Sequence, residues 1–261
     1  MAGALTLDEL PLVRAPSLTG AQMAEVDRVA IDELGIGLEM LMENASRGVA
    51  IAARACAGGS VAGRRILALA GHGNNGGDAL GAARHLLNWG ALVTCILAGS
   101  PSDLRAVPRR QFDILAAIAS APVSTSLARG DALAEQGALE TEIARAELVL
   151  DGLLGYSVSG PPRGEVAALI RLANRSRTPI LAIDLPSGMH PDTGEPLGVT
   201  IRAAFTVTLA LPKRGLLATA ARNLVGQLLL ADIAIPPIVY SRFDIDAGAV
   251  FARGELVRLE H

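Results

Sequence analysis

Six short apolar segments alternate along this chain with stretches of helical periodicity. They lie at residues 66–70, 92–97, 148–151, 180–184, 205–210 and 227–232. Each segment is apolar on both faces, which is typical of strands in a parallel sheet that helices cover on both sides. The pattern therefore predicts an α/β fold in which a parallel sheet lies between two helical layers.

Two helices are predicted before the first of these strands. The first covers residues 17–34, where apolar side chains recur at helical spacing and Thr19 with Gln22 has the form of a capping box. The second runs from Leu38 to about Cys56, and the glycines at 58–59 end it. Residues 100–109 are expected to form an exposed loop.

A single large domain is expected, because a chain of 261 residues with 51% hydrophobic residues can bury a core under both faces of a sheet. We assign residues 1–258 to this domain, with its core at about 17–235. Residues 259–261 resemble the start of a purification tag and carry no functional expectation. A second full catalytic domain has no room in this length.

Charge and hydropathy exclude two classes of partner. The formal net charge is −3 and the pI is about 5.8, so the broad basic surface of a nucleic-acid-binding protein is missing. No apolar segment approaches the ~20 residues of a membrane helix. The acidic residues near the start do not match a secretory signal. We therefore expect a cytoplasmic protein.

Three polar, glycine-rich loops follow three of the predicted strands. They cover residues 71–78, 151–160 and 184–188. Ligands of open α/β sheets bind beyond the carboxyl ends of the strands, where such loops meet. The sequence therefore predicts one binding site built from these three loops.

The first loop has the form G-x-G-x-x-G between a strand and a helix, so its backbone N–H groups can hold phosphate oxygens. Its side chains Asn74, Asn75 and Asp78 offer oxygens for a monovalent cation or for ribose. The alternative is that the asparagines serve the local turn. A dehydrogenase would place a carboxylate at the end of the next strand, and residues 92–100 contain none.

The other two loops each begin with a carboxylate. Asp151 is either a cap for its own turn or a ligand in the cleft, and glycines at 155 and 160 allow close approach of a ligand. Asp184 ends a buried strand, where burial tends to raise a carboxyl pKa toward the range useful for proton transfer. Lys213 is the only lysine of the chain, which indicates a specific need for an ammonium group.

Four motifs together resemble the NAD(P)H-hydrate epimerase family, also called the YjeF N-terminal domain family. They are GHGNNGGDAL, DGLLGYSVSGPPRG, AIDLPSGMHPDTGEP and TVTLALPKRGL, in the family's order and spacing. The resemblance covers about residues 17–235 and implies a Rossmann-like three-layer α/β/α sandwich with a mostly parallel central sheet. Two positions depart from the family pattern, since Ala79 and Ser46 stand where the family usually has glycine.

The resemblance also implies the residues of the site. A potassium ion would be held at Asn75, Asp151 and Ser187, and Asp184 would be the catalytic residue. The implied substrate-binding positions are Asn74, Asn75, Gly76, Gly77, Asp78, Gly155, Tyr156, Ser157, Val158, Ser159, Gly160, Pro161 and Asp184.

The implied activity is the interconversion of the R and S forms of hydrated NADH and NADPH at C6 of the nicotinamide ring. The implied partners are this substrate, NADHX or NADPHX, a second copy of the chain in a homodimer, and a separate NAD(P)HX dehydratase. The alternative is a non-catalytic nucleotide-binding or interaction module on the same fold. An NAD-dependent dehydrogenase is a third hypothesis, which the missing ribose carboxylate disfavours.

Overall fold

A computed structural model describes residues 5–119, 125–129, 136–157, 160–248 and 250–260. In these ranges nine strands form one sheet in the order β1-β9-β8-β7-β6-β5-β2-β3-β4. Their bounds are β1 (Leu12–Val13), β2 (Arg65–Ala70), β3 (Leu92–Leu97), β4 (Thr125–Arg129), β5 (Leu148–Gly152), β6 (Ile180–Ile183), β7 (Phe205–Leu209), β8 (Gln227–Ala231) and β9 (Leu256–Leu259). Neighbouring strands are parallel, apart from the antiparallel pair β8 and β9.

The α-helices of the described ranges are α1 (Gly20–Arg28), α2 (Leu38–Cys56), α3 (Asn74–Asn88), α4 (Ala106–Ala119), α5 (Gln136–Arg145), α6 (Gly164–Arg175), α7 (Arg222–Val225) and α8 (Pro237–Ser241). Alternate residues of β2 enter two separate cores. Ile66 and Ala68 pack in the core that contains α2 and α3, whereas Leu67 and Leu69 pack in the core that contains α5 and α6. The predicted three-layer α/β/α sandwich is therefore confirmed.

The six predicted strands and the two leading helices are present. Thr19 caps α1, because its side chain accepts from the backbone N–H of Gln22 at 3.1 Å and its own N–H donates to the Gln22 side chain at 2.9 Å. The first helix is not α-helical to its end, since Val29–Glu33 form a π-helix. The second helix has the predicted bounds.

Several elements differ from the sequence expectation. Strands β1, β4 and β9 were not predicted, and β1 has only two residues, too few to show a period. The expected exposed loop at 100–109 is wrong in its second half, because α4 begins at Ala106 and Pro108 is buried. Leu259, which was set aside with the last residues, lies in β9 opposite Val13 and is buried.

None of the helices in the described ranges is long and apolar enough to cross a membrane.

The packing of α2 against α3 depends on the small residue Gly81. A Cβ atom added at Gly81 would lie 2.7 Å from the Cβ of Ser46 on α2, and nothing but a shift of the helices relieves this contact. We expect Gly81→Ala to lower the free energy of unfolding by roughly 1–3 kcal/mol, as overpacking does in cores. The matched control is Gly137→Ala in the first turn of α5, where an added Cβ has open space. Urea titration of both variants checks this, and equal stability of the two would contradict it.

Candidate active site

The three predicted loops meet at one cleft of about 390 Å³. The cleft lies where the order of the sheet reverses. Strand β2 pairs with β3 on one side and with β5 on the other, so the chain leaves the two strands in opposite directions. This is the topological switch point at which open α/β sheets bind ligands. Helices α1 and α2 form the far wall through Met23, Leu41 and Met42.

The structure brings most of the predicted site residues to this cleft. Those that line it are Asn74, Asn75, Asp78, Gly155, Tyr156, Ser157 and Asp184. Gly76 and Gly77 lie behind it, against Gly71 and Met42 respectively. Pro161 packs beside Gly198, away from the cleft. Val158 and Ser159 lie outside the described residues.

Asp184 is held from both sides. It is 4% exposed and adopts a φ of +68°, a left-handed conformation that aspartate tolerates better than most side chains. Its Oδ1 atom pairs with the Lys213 ammonium, and its Oδ2 atom accepts from the backbone N–H of Tyr156 at 3.2 Å. A non-glycine residue held in this region marks stored strain, which proteins concentrate at functional sites.

Lys213 enters the cleft from the segment that follows β7. The side chain is 1% exposed, and its Nζ also donates to the carbonyl of Leu209 at 3.0 Å. The same ammonium lies 5.4 Å from the centre of the Tyr156 ring, within cation–π range. The chain's only lysine is therefore fully surrounded by partners in the cleft.

Asp27 on α1 is a site residue that the sequence analysis missed. Its Oδ2 atom accepts from the hydroxyl of Tyr156 at 2.6 Å, and burial raises its pKa. The signal was present in the sequence. Asp27 is four residues after Met23 and three before Ala30, so it stands on the apolar stripe that faces the core.

Asp78 is the third carboxylate of the cleft. It is 7% exposed, and its pKa lies well above the usual range, first because of burial and then because of the negative charges of Asp184 and Asp27. The Lys213 ammonium opposes these effects. Three carboxylates therefore share one buried ammonium.

The three residues expected to hold potassium lie together around Leu154. The Ser187 hydroxyl donates to Asp151 at 2.6 Å and accepts from the N–H of Leu154 at 2.8 Å. The Asn75 amide donates to the Leu154 carbonyl at 2.9 Å, which leaves the Oδ1 atom of Asn75 buried without a hydrogen-bond partner. Burial raises the pKa of Asp151 to about 6. An oxygen-rich set with one unsatisfied buried acceptor fits a hard cation.

Gly155 is the residue at which these two groups approach each other. A Cβ atom added there would lie 3.3 Å from the Cβ of Asn75 and 3.6 Å from Oδ2 of Asp184. The absence of a side chain at Gly155 thus keeps space between Asn75 and the Asp184 carboxylate.

The mouth of the cleft carries residues that the sequence analysis did not assign to the site. Asp103 and Arg105 follow β3, and Arg105 is exposed. Beside them, the Nε2 atom of His72 is buried without a partner. Asp103 lies six residues beyond the end of β3. The sequence analysis expected no carboxylate after this strand because it considered only residues 92–100.

The fold and the cleft define a Rossmann-like α/β protein with its binding site at a switch point. The family profile described as "YjeF-related protein N-terminus" matches residues 38–215. The chain is 40% identical over 243 residues to the NAD(P)H-hydrate epimerase of Dehalogenimonas lykanthroporepellens, covering 93% of this chain and 92% of that one. The chain belongs to the YjeF N-terminal domain family, as its motifs predicted.

Two further comparisons describe the relatives. The chain is 39% identical to the bifunctional NAD(P)H-hydrate repair enzyme Nnr of Moorella thermoacetica, where the match covers 84% of this chain and 40% of that enzyme. The crystal structure of the yeast protein ynu0 superposes with a TM-score of 0.77 at 22% identity, over 94% of this chain and all of that one. This second likeness supports the fold.

The burial of Asp78 predicts a pH-dependent gain in stability on its removal. The unfolded chain loses this proton near the ordinary value of 3.8, whereas the folded chain retains it to higher pH. Asp78 therefore destabilises the fold increasingly as the pH rises above that value. We expect Asp78→Asn to stabilise the protein by roughly 1–3 kcal/mol at pH 8, because Asn removes the cost of burying a carboxyl group that is ionised in the unfolded chain, and by much less at pH 4.

Thermal unfolding at both pH values measures this difference. Asp8→Asn is the matched control, because the Asp8 side chain is 99% exposed and its removal should change little at either pH. A gain for Asp78→Asn that is the same at pH 4 and pH 8 would show that ionisation of Asp78 is not its cause.

Proposed function

We propose that the chain is an NAD(P)H-hydrate epimerase, which interconverts the R and S forms of NADHX and NADPHX at C6 of the nicotinamide ring. Relatives named for this activity match the chain over most of its length. The observation that carries the proposal is the buried, doubly held carboxylate of Asp184 in a cleft at the switch point. Its orientation is set before any ligand arrives, as proton transfer requires.

The chemistry needs a proton to move at one oxygen. The C6 atom of the substrate bears a hydroxyl beside the ring nitrogen and is therefore a carbinolamine. Its configuration is lost either when water leaves, after the hydroxyl gains a proton, or when the ring opens, after the hydroxyl loses one. The loss of water breaks the C6–O bond, and ring opening breaks the bond between C6 and the ring nitrogen. In both routes the broken bond forms again from the other face. Asp184 exchanges this proton with the C6 oxygen, and no net oxidation occurs.

The dinucleotide part of the substrate is assigned to the first loop. Helix α3 begins at Asn74, and its cap residue Gly73 has no side chain to satisfy the first N–H groups. Free N–H groups and the helix dipole favour a phosphate at this end. The substrate-binding positions in this proposal are the predicted residues that line the cleft, namely Asn74, Asn75, Asp78, Gly155, Tyr156 and Ser157.

A potassium ion is the proposed cofactor, held by Asn75, Asp151 and Ser187. The unsatisfied Oδ1 atom of Asn75 supports this choice, because a buried acceptor without a partner is costly. A bound cation supplies positive charge that favours the anionic groups of the substrate. Asn75 orients the loop at Leu154 through its hydrogen bond to the carbonyl there. Two residues later in the same loop, the backbone N–H of Tyr156 donates to Asp184.

Coupling to a dehydratase and assembly into a homodimer are also proposals. The bifunctional relatives are named as repair enzymes and are longer than this chain, which spans 40% of the Moorella thermoacetica protein. A separate NAD(P)HX dehydratase would use the S form that the epimerase supplies. Met40 on α2 is 60% exposed and offers an apolar contact for a second copy. The cytoplasmic location stays a prediction from the sequence.

Replacement of Asp184 tests the reaction. Asn keeps the size of the side chain but cannot exchange the proton, so we expect Asp184→Asn to lower kcat by about 10²- to 10⁴-fold. The assay follows the rate at which R-NADHX becomes available to an S-specific dehydratase. The matched control is Asp113→Asn on α4, which is exposed and should retain the rate.

Two results would count against the epimerase. A normal rate for Asp184→Asn would remove the residue's assigned role. No acceleration by the unchanged protein, with nucleotide binding retained, would favour a non-catalytic nucleotide-binding module instead.

The potassium site makes a prediction about stability. In KCl the folded protein should gain about 1.4 kcal/mol over LiCl of equal ionic strength when the ion is at ten times its Kd. Asn75→Leu should abolish this gain, whereas Asn88→Leu at the exposed end of α3 should keep it. Thermal unfolding in the two salts measures both. The same response to either salt in the unchanged protein would rule out the site.

A further inference from the structure

We propose that Lys213 is the positioning residue of the active site, which fixes the direction in which the Asp184 carboxylate faces the substrate. This inference rests on the proposed epimerase function for its catalytic consequence. It rests on the structure alone for the pairing of the two side chains.

The two oxygens of Asp184 have different surroundings. Oδ1 is taken by the Lys213 ammonium. Among the described residues, Oδ2 accepts the 3.2 Å bond from the N–H of Tyr156, and it lies beside the space that Gly155 leaves open. Oδ2 is therefore the oxygen available to the C6 hydroxyl. Because a carboxylate is planar, holding Oδ1 on Lys213 sets where the second lone pair of Oδ2 points.

Lys213 itself cannot move freely. Two of its N–H groups donate to Asp184 and to the Leu209 carbonyl, the latter at 3.0 Å, and its charge lies 5.4 Å from the centre of the Tyr156 ring. Its backbone forms a bridge to Leu18, whose carbonyl accepts from the N–H of Arg214 at 2.7 Å. Both ends of the side chain are thus fixed, and the ammonium acts on the substrate through Asp184.

The charges of the cleft explain why an ammonium stands here. Among the described residues that line the cleft, the Lys and Arg side chains are those of Lys213 and Arg105. Arg105 is exposed at the mouth. The buried ammonium therefore pairs with the Asp184 carboxylate and acts through its charge on the carboxyl groups of Asp27 and Asp78. A guanidinium is planar and larger than an ammonium, so arginine does not fit among these nearly inaccessible partners.

The geometry also separates this role from covalent catalysis. An imine between Lys213 and a ring-opened aldehyde would require the ammonium to lose a proton, a water molecule to leave, and Asp184 to remain buried without its partner. Breaking a buried pair in this way is strongly unfavourable.

Kinetics of three variants test the positioning role. We expect Lys213→Met, which keeps the length and removes the charge, to lower kcat about 100-fold with KM little changed, since small misplacement of a reacting group has this effect. Lys213→Arg, which keeps the positive charge, should also have a kcat below that of the wild type. Lys213→Ala should recover activity about tenfold or more in propylammonium, which replaces the missing group, and not in propanol. Arg214→Met is the matched control with an exposed side chain and should retain the wild-type rate.

A stability cycle and a trapping reaction complete the test. Lys213→Met should lower the midpoint of thermal unfolding, and the double variant with Asp184→Asn should recover most of the loss, because the uncompensated charge is gone. If the unchanged protein does not epimerise, the proposed function fails while this cycle still decides the pairing.

Three outcomes would overturn the positioning role. They are additive stability effects in the cycle, a folded Lys213→Met with a normal rate, and borohydride trapping of substrate on Lys213.

Discussion

The reversal of strand order between β2 and β5 is the constraint on which the rest of the molecule depends. From β2 the chain continues to β3 and β4 at one side, and from β5 it continues to β6, β7 and β8 at the other. The connections therefore diverge above these two strands and leave a crevice between them. Most polar groups of the site reach the crevice from segments that follow strands, including the start of α3 directly after β2, and α1 and α2 supply the far wall. The position of the site is thus a property of topology, and its chemistry is a property of the loops.

Within the crevice, electrostatics works against stability. Asp27 and Asp78 are buried carboxyls whose pKa values lie above the usual range, and Asp184 keeps an unfavourable φ. One ammonium balances part of this charge. A core built only for stability would contain apolar side chains at such positions. The protein retains polar groups where reaction and binding need them, and the two apolar cores beneath the cleft compensate for that loss of stability.

Much of the fold could be predicted, because buried parallel strands and capped helices leave local patterns. The six central strands and the Thr19 cap belong to this group. The position of the binding site, where loops follow three of these strands, could be predicted from the same pattern. The short edge strand β1 and its neighbour β9 could not be predicted in this way, since they pair with each other from opposite ends of the sequence. The sequence pattern places Asp27 on the buried stripe of α1, but it does not show which residue Asp27 meets there. Asp27 becomes a site residue only because Tyr156, 129 positions later, donates to it.

The outer edge of the sheet has a consequence for self-association. Beyond β9 lies the two-residue strand β1, which follows Pro11 and carries Leu12 opposite Arg258. The exposed pair Arg14 and Glu260 stands at its end. An edge this short, with proline and charge beside it, offers too few free backbone groups to template another sheet. The edge at β1 therefore disfavours the extension of one sheet into another between copies, and the proposed homodimer would use helical surfaces or some other part of the chain.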